Sequence, residues 1–343
     1  MEWSDRIGRR VKLRDLHILA AVVQSGSMAK AAGSLAVSTP VVSKTIADLE
    51  HTVGVKLLDR SAQGVEPTIY GRALVRWAAA AFDDLRQGIK EIEFLTDPSA
   101  GEVRIGCNDP IAIGILPVAI SRLHRKYPRL LFRLQPAAFA PPRFQELRER
   151  NVDVSIGRVT PAIDDDLNAD FLFDDPLLVA TGRGSRWLHR REIVLADLIK
   201  EPWVLPPPGS LASLLIRETF LACGLEPPHG AIIGNSIHMY TALLANGPYF
   251  AMLPASVLRF GALPVSVKVL PVKLPTLKTH PVAIITLKGR MISPAAQLFI
   301  DCVREVAALL AQPSRASGRR TSGKPARANA RARRGKAPGH GHD

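Results

Sequence analysis

Apolar positions at helical spacing open the chain. Leu13, Leu16, Leu19, Ala20 and Val23 fall three and four apart, which puts one apolar face on a first helix, and Ser25-Gly26 ends it. Ser27 is placed to cap a second helix, Met28–Leu35, in which Ala31 and Ala32 are small enough for another helix to cross closely. Ala36-Val37 makes a turn. Ser38 or Thr39 then caps a third helix with Pro40 in its first turn, where a missing N–H does no harm, and Val42, Ile46 and Leu49 face inward. The opposite face carries Thr39, Pro40, Val41, Ser43 and Lys44, small and polar groups that fit against base edges. Val53–Arg60 and an extended Gln63–Pro67 follow, a pattern that suits a wing with Arg60 aimed at a sugar-phosphate backbone.

Thr68 caps a long helix, Ile69 to Leu95. Along it Leu74, Ala78, Ala81, Leu85, Gly88, Ile92 and Leu95 advance by fours and threes, a seam of the kind that joins two helices. Its partner is either the chain's own following domain or a second copy. The breaker residues Thr96–Gly101 let the helix stand apart, which favours the second copy, and alanine and glycine on the seam imply close approach.

From Glu102 to about Gln312 the period alternates between strand and helix. Glu102–Gly106 is a strand, followed by Asn108-Asp109-Pro110 and a helix to about Lys126. Leu130–Leu134 and Val152–Ile156 are further strands, with a helix at Pro142–Glu149 between them. Two strand-turn-helix units in succession imply a parallel sheet with right-handed crossovers. Leu177–Ala180 and Trp203–Leu205 begin a second set with helices at Ser210–Ala222 and Ser236–Ala245, and Ala283–Leu287 with Pro294–Leu310 closes back on the first. In open α/β sheets ligands bind beyond the carboxyl ends of the strands. That rule selects Asn108, Asp109, Pro136, Gly157, Arg158, Gly209, Ser210, Asn235 and Ser236 as candidates, although Ser210 and Ser236 also suit capping. Helix N-termini favour anions, but Asp109 would repel a carboxylate. Asn108, Asp109 and Asn235 suit sugar hydroxyls better, with Trp203 or Tyr240 to stack on the ring.

With 343 residues, 47% of them hydrophobic, the chain has material for more than one core. The formal charge of +14 is concentrated beyond Pro313, where nine Lys/Arg face Asp343 alone, while residues 1–70 hold nine basic against seven acidic groups. The tail, 313–343, has no aliphatic or aromatic anchor beyond alanine, so it is expected to be disordered and to strengthen backbone association without choosing bases. Cys107, Cys223 and Cys302 lie far apart with no metal spacing, and neither a signal segment nor a membrane span is expected, which fits a cytoplasmic protein. No nucleophile triad, metal cluster or phosphate loop stands out, so an enzyme is not expected and no cofactor is implied.

Ser27-Met28-Ala29-Lys30-Ala31-Ala32, Leu35, Val37–Lys44, Ile46, Leu49-Glu50, Gly54-Val55 and Leu57-Leu58-Asp59-Arg60 together resemble, without a gap, the N-terminal domain of LysR-type transcriptional regulators. Asn151–Arg158 and Ala251-Met252-Leu253-Pro254 resemble the effector domain of the same family, and the N-terminal half is similar to the branch that controls a galactose-binding protein. Thr39 and Lys44 stand where glutamine and arginine are more usual, and Asn246–Phe250 replaces a glycine-rich turn, so that Tyr249 is expected to reshape the pocket. The resemblance implies an N-terminal all-α winged helix-turn-helix with a long linker helix, then an α/β effector domain of two Rossmann-like lobes, like type II periplasmic binding proteins. The expected boundaries are 1–70 for DNA binding, 71–95 for the linker helix and 102–312 for the effector domain. Within it, lobe I spans 102–175 and 268–312, and lobe II spans 176–267. The candidate DNA contacts are Ser27, Ser38, Thr39, Pro40, Val41, Ser43, Lys44 and Arg60. The dimerisation candidates are Leu74, Ala78, Ala81, Leu85 and Ile92. The implied partners are an operator duplex, a small-molecule effector, RNA polymerase and further copies of the chain, as a dimer or tetramer. A nonspecific DNA binder and a solute-binding protein are the rival readings.

Overall fold

A computed structural model describes residues 10–61, 64–137, 143–160, 162–260, 264–275 and 280–311. The basic tail, Gln63 and the start of the helix expected at Pro142 lie outside the described residues.

Three short helices form the N-terminal unit: α1 (Leu13–Ser25), α2 (Met28–Ser34) and α3 (Thr39–Val53). Gly26 at φ 63° and Gly54 at φ 77° end α1 and α3 in the left-handed region that favours glycine. Leu35 caps α2 rather than extending it, and Ala36 takes the turn at φ 52°. Ile18, Leu19, Val22, Ala31, Val42, Ile46 and Leu49 meet in one core. Val42, Ile46 and Leu49 face inward as the spacing predicts, but on α1 the buried face turns toward Ile18 and Val22, leaving Leu13 exposed and Leu16, Ala20 and Val23 half-buried. The strands β1 (Leu58–Ser61) and β2 (Gly64–Pro67) pair antiparallel into the wing, and the Val65 amide donates to the Gly26 carbonyl at 2.9 Å, tying the wing to the end of α1. The long helix α4 (Ile69–Thr96) starts at Thr68, whose hydroxyl accepts from the Gly71 amide at 3.0 Å. Gly71 passes so close to the Leu57 carbonyl that a Cβ there would sit 2.0 Å from its oxygen.

Two five-stranded sheets follow. In the first, the strand order is β4 (Arg129–Pro136), β3 (Ala100–Cys107), β5 (Val154–Arg158), β12 (Val282–Leu287) and β6 (Leu167–Phe173). Strand β3 runs parallel to both β4 and β5, whereas β12 is antiparallel to its neighbours, so the sheet is mixed rather than wholly parallel. Helices α5 (Asp109–Ile113), α6 (Ile115–Lys126) and α7 (Gln145–Arg148) connect its strands, and α6 packs with the last helix of the chain over an apolar core that includes Phe299. The second sheet orders β11 (Val267–Val269), β7 (Leu177–Gly182), β10 (Phe250–Pro254), β8 (Trp203–Leu205) and β9 (Gly230–Ile233). Helices α8 (Leu211–Ala222), α9 (Ile237–Asn246) and α10 (Ala255–Phe260) belong to it, and α11 (Pro294–Ala311) returns to the first sheet. The chain passes between the sheets twice, after Phe173 and again after Val269. Among the described residues, no helix is long and apolar enough to cross a membrane.

Candidate functional site

The N-terminal end of α3 is an open, polar surface. Ser38, Thr39, Pro40, Val41 and Lys44 are exposed and Ser43 is half-buried, while Val42, Ile46 and Leu49 on the other side are sealed in the core. Ser27 is a cap: its hydroxyl accepts from the Lys30 amide at 3.4 Å. Ser38 takes the N-cap position of α3, but its hydroxyl makes no capping bond and stays available, which corrects the expectation of a side-chain cap there. Arg60 is exposed on the first wing strand, opposite Val65. One buried acid fixes α3 against the wing. Glu50 accepts the Leu57 and Leu58 amides at 2.8 and 3.2 Å and the Lys56 ammonium at 3.0 Å. Burial pushes the Glu50 carboxyl up, but the Lys56 hydrogen bond and the two amides outweigh it, so its pKa lies below the ordinary value. The sequence reading gave Glu50 no role; its signal is a charge next to Leu49 on the inward side of a helix.

Between the two sheets lies a cleft of about 660 Å³. Asn108, Asp109, Pro136, Arg158, Ser210 and Asn235 line it, together with an apolar wall that includes Ile111, Leu211, Leu215 and Met252. Gly157, Gly209 and Ser236 lie elsewhere. Gly157 is buried in β5 opposite Ala283, Gly209 makes the turn before α8 at φ 82°, and the Ser236 hydroxyl caps α9 by accepting from Met239. Trp203 is not a stacking platform. It is fully buried, its indole N–H donates to the Leu198 carbonyl at 2.8 Å, and it meets Phe220 edge-on. Tyr240 does line the cleft, but its hydroxyl donates to the Gly234 carbonyl at 2.6 Å and burial pushes its pKa up to about 12. Tyr249 packs against the apolar cluster around Leu244 and does not reach the cleft.

The polar groups of the cleft are unequally free. The Arg158 guanidinium donates to the Asp175 and His280 carbonyls, one on each crossover between the sheets, and stands 3.4 Å from the Asp175 carboxylate. Burial lowers the Arg158 pKa more than Asp175 and Asp174 raise it. The Ser256 amide and hydroxyl also donate to the Asp175 carboxylate, at 2.8 and 2.7 Å. Arg158 therefore pins the hinge, and its charge is matched before any ligand arrives. Ser210 caps α8 and donates to the Pro207 carbonyl. Asn235 makes no hydrogen bond among the described residues, and the exposed Asp109 carboxylate has no ion-pair partner there. Cys107 also borders the cleft; burial and the Asp109 charge push its thiol up to about 11, so it stays protonated at neutral pH.

An exposed recognition-helix end, a wing and a two-lobed cleft on one chain are also what known proteins show. Residues 13–72 match the bacterial regulatory helix-turn-helix protein, lysR family, and residues 96–308 match the LysR substrate binding domain. The chain belongs to the LysR family. It is a LysR-type transcription regulator with a substrate-binding domain, and not an enzyme. It is 26% identical over 307 residues to YdcI of Escherichia coli, an uncharacterized HTH-type transcriptional regulator, covering 89% of this chain and 99% of that one. It is 27% identical over 297 residues to the regulator GbpR of Azospirillum brasilense, covering 86% of each. It is 26% identical over 294 residues to the regulator GalR of Pseudomonas putida, covering 85% of this chain and 73% of that one. The fold is that of full-length CbnR complexed with its target DNA, with a TM-score of 0.59 at 23% identity, covering 86% of this chain and all of that one.

In this LysR regulator the linker helix α4 divides its apolar residues between two surroundings. Leu74 packs into the helix-turn-helix core and Ala78 is buried, so the first half of the predicted seam is taken by the chain itself. Ala81 is half-buried, and Leu85, Ile89, Ile92 and Leu95 are exposed. One polar stripe of α4, Asp83, Gln87 and Lys90, is turned away from solvent. Asp83, with 2% of its side chain exposed, pairs with Arg290 at 2.6 Å, Arg150 at 3.0 Å and Arg104 at 3.8 Å. Lys90 reaches Asp153 at 3.6 Å, and Asp153 also holds Arg104 at 2.6 Å and Arg290 at 3.0 Å. Burial would raise the Asp153 carboxyl, yet Arg104 and Lys90 hold it below its ordinary value. The helix therefore does not stand apart, as the breaker residues suggested; it docks on the first lobe through charge.

Proposed function

We propose that this regulator acts as a dimer, or a pair of dimers, that places several recognition helices in successive major grooves, and that its cleft takes a neutral polyhydroxylated effector such as a sugar. The exposed row Leu85, Ile89, Ile92 and Leu95 on α4 supplies the apolar surface for pairing two copies. Thr39, Pro40, Val41, Ser43 and Lys44 then meet base edges, with Ser27, Ser38 and Arg60 at the backbone. Effector binding closes the lobes, changes how the DNA is held and so alters recruitment of RNA polymerase. Only a ligand with different affinity for the two lobe arrangements can do this.

One observation carries the effector reading. Among the described residues, Arg158 is the one cation that lines the cleft and it is already matched by Asp175, while Asp109 has no ion-pair partner and Asn235 no hydrogen bond there. A carboxylate would meet net negative charge there; a hydroxylated ring would find acceptors and donors between apolar walls. The test is a footprint on the DNA upstream of the protein's own gene, with competitor DNA, in the presence of galactose, arabinose or benzoate. Paired half-sites whose protection shifts with a sugar and not with benzoate are expected. A shift with benzoate alone would overturn the effector class, and uniform coverage without half-sites would reassign the protein to nonspecific DNA binding.

A further inference from the structure

The buried ionic joint between α4 and the first lobe has three features that a purely structural contact would not need. Its sealed part is unbalanced: Asp83 and Asp153 face four cations, Arg104, Arg150, Arg290 and Lys90, each no more than 16% exposed, while at the rim Arg86 stands 3.8 Å from Asp83, Asp84 stands 3.9 Å from Arg150, and the Glu102 charge acts on Lys90 and Arg104. It is incompletely satisfied. Gln87, one turn after Asp83 on the same face of α4, is only 3% exposed, and neither its amide nitrogen nor its oxygen has a hydrogen-bond partner in the structure. It also holds a strained backbone. Arg150 sits at φ 59°, a region costly for a residue with a Cβ, while its guanidinium grips Asp83 and its carbonyl accepts from Arg104 at 3.0 Å.

The placement of this joint gives those features a use. On one side, α4 carries the DNA-binding unit as a single body, because Leu74 and Val75 pack against its core and Phe82 meets His17 of α1 edge-on at 5.9 Å. On the other side, the strands that hold the joint end at the cleft. Arg104 lies on β3, which ends at Cys107 on the cleft wall; Asp153 immediately precedes β5, which ends at the hinge residue Arg158. A shift of either strand when the lobes move displaces a charge partner of Asp83 or Lys90.

We propose that this joint is a two-state latch: seated as seen here, and unseated by movement of β3 and β5, so that the seat of the linker helix, and with it the direction of the DNA-binding unit, follows the state of the cleft. The functional consequence rests on the effector reading above. The latch itself is independent of any ligand and is tested without one.

The test is an intramolecular distance measurement by electron spin resonance on the full chain. Nitroxides are attached through Glu93→Cys on α4 and Arg125→Cys on α6, two exposed positions, with Cys223→Ser removing the exposed native thiol. Dilution with unlabelled protein restricts the signal to one chain. The parent is expected to give one narrow distance. Asp83→Asn should add a second, displaced population, whereas Gln87→Glu, which supplies the missing negative charge, should leave one distance at least as narrow. Arg158→Gln, at the cleft end of β5, should also broaden the distribution if the strand relays movement. Equal distributions in all four proteins would overturn the latch, and a response to Asp83→Asn without one to Arg158→Gln would overturn the relay. Gln87→Glu keeps the test decisive if Asp83→Asn does not fold: broadening in that variant contradicts the proposed charge imbalance.

Discussion

Helices α3 and α4 carry similar amphipathic patterns and dispose of them in opposite ways. In α3 the apolar stripe is the inside of the helix-turn-helix and the polar face meets solvent. In the second half of α4 a polar stripe, Asp83, Gln87 and Lys90, is sealed against a domain, with ion pairs at Asp83 and Lys90, and the apolar row is left open. Periodicity groups residues on a face by geometry alone, and both patterns show that. Which face is inside depends on what else the chain brings to it, and three basic side chains from distant positions, Arg104, Arg150 and Arg290, bring charge to α4. In the proposed dimer the open apolar face is where a second copy buries surface, which is a property of an assembly rather than of a monomer.

Three variants break or sharpen this contrast. Arg290→Ala should have the largest effect, because it leaves Asp83 and Asp153 buried with fewer partners; loss of one member of a buried pair costs about 3–5 kcal/mol. Chemical denaturation of the effector domain signal reads it, and a change below about 1 kcal/mol, the level of an exposed pair, would mean that the joint is not sealed from water. Glu50→Gln acts on the other helix and should destabilise the DNA-binding unit by about 1–3 kcal/mol, the range for a charged hydrogen bond. Because the folded pKa of Glu50 is lowered, its contribution is fully present above the unfolded value near about 4.3 and is lost as pH falls through the folded value. The difference between parent and variant should accordingly shrink on acidification below about pH 4; a difference that persists there would assign it to packing instead. Leu85→Ser combined with Ile92→Ser should change the stability of the isolated chain least, within about 0.5 kcal/mol per site, because both side chains are exposed in the monomer. The same pair should lower the association state in sedimentation, and an unchanged dimer would move the interface off α4.

Much of the DNA-binding unit could be read from the chain because its determinants are local. Gly26 ends α1 where the sequence says it should, Val42, Ile46 and Leu49 point inward, and Thr39, Pro40, Val41 and Lys44 are left outside. The cleft was legible at its caps and less so at its walls. Asn108, Asp109 and Ser210 follow strand ends and meet in space, but an aromatic residue such as Trp203 carries no mark that separates a stacking platform from a core filler. Its neighbours Phe220 and Phe250, from α8 and β10, decide that. Arg158 was legible as a cleft residue but not as a hinge, since its partners Asp175 and His280 lie 17 and 122 positions away.

The sequence by itself determined the helix-turn-helix, the long helix, most of the α/β elements and the family to which their motifs belong, because helix periodicity, capping and turn chemistry act over a few residues; the strands Leu167–Phe173, Gly230–Ile233 and Val267–Val269 carried no such signal. Only the tertiary structure decided which charges are buried together. Asp83 meets Arg104, Arg150 and Arg290, the last of them 207 positions away, and no local pattern encodes a pairing that distant. A buried charge is stable only where opposite charge surrounds it, so its place is fixed by the folded arrangement and not by the neighbours it has along the chain.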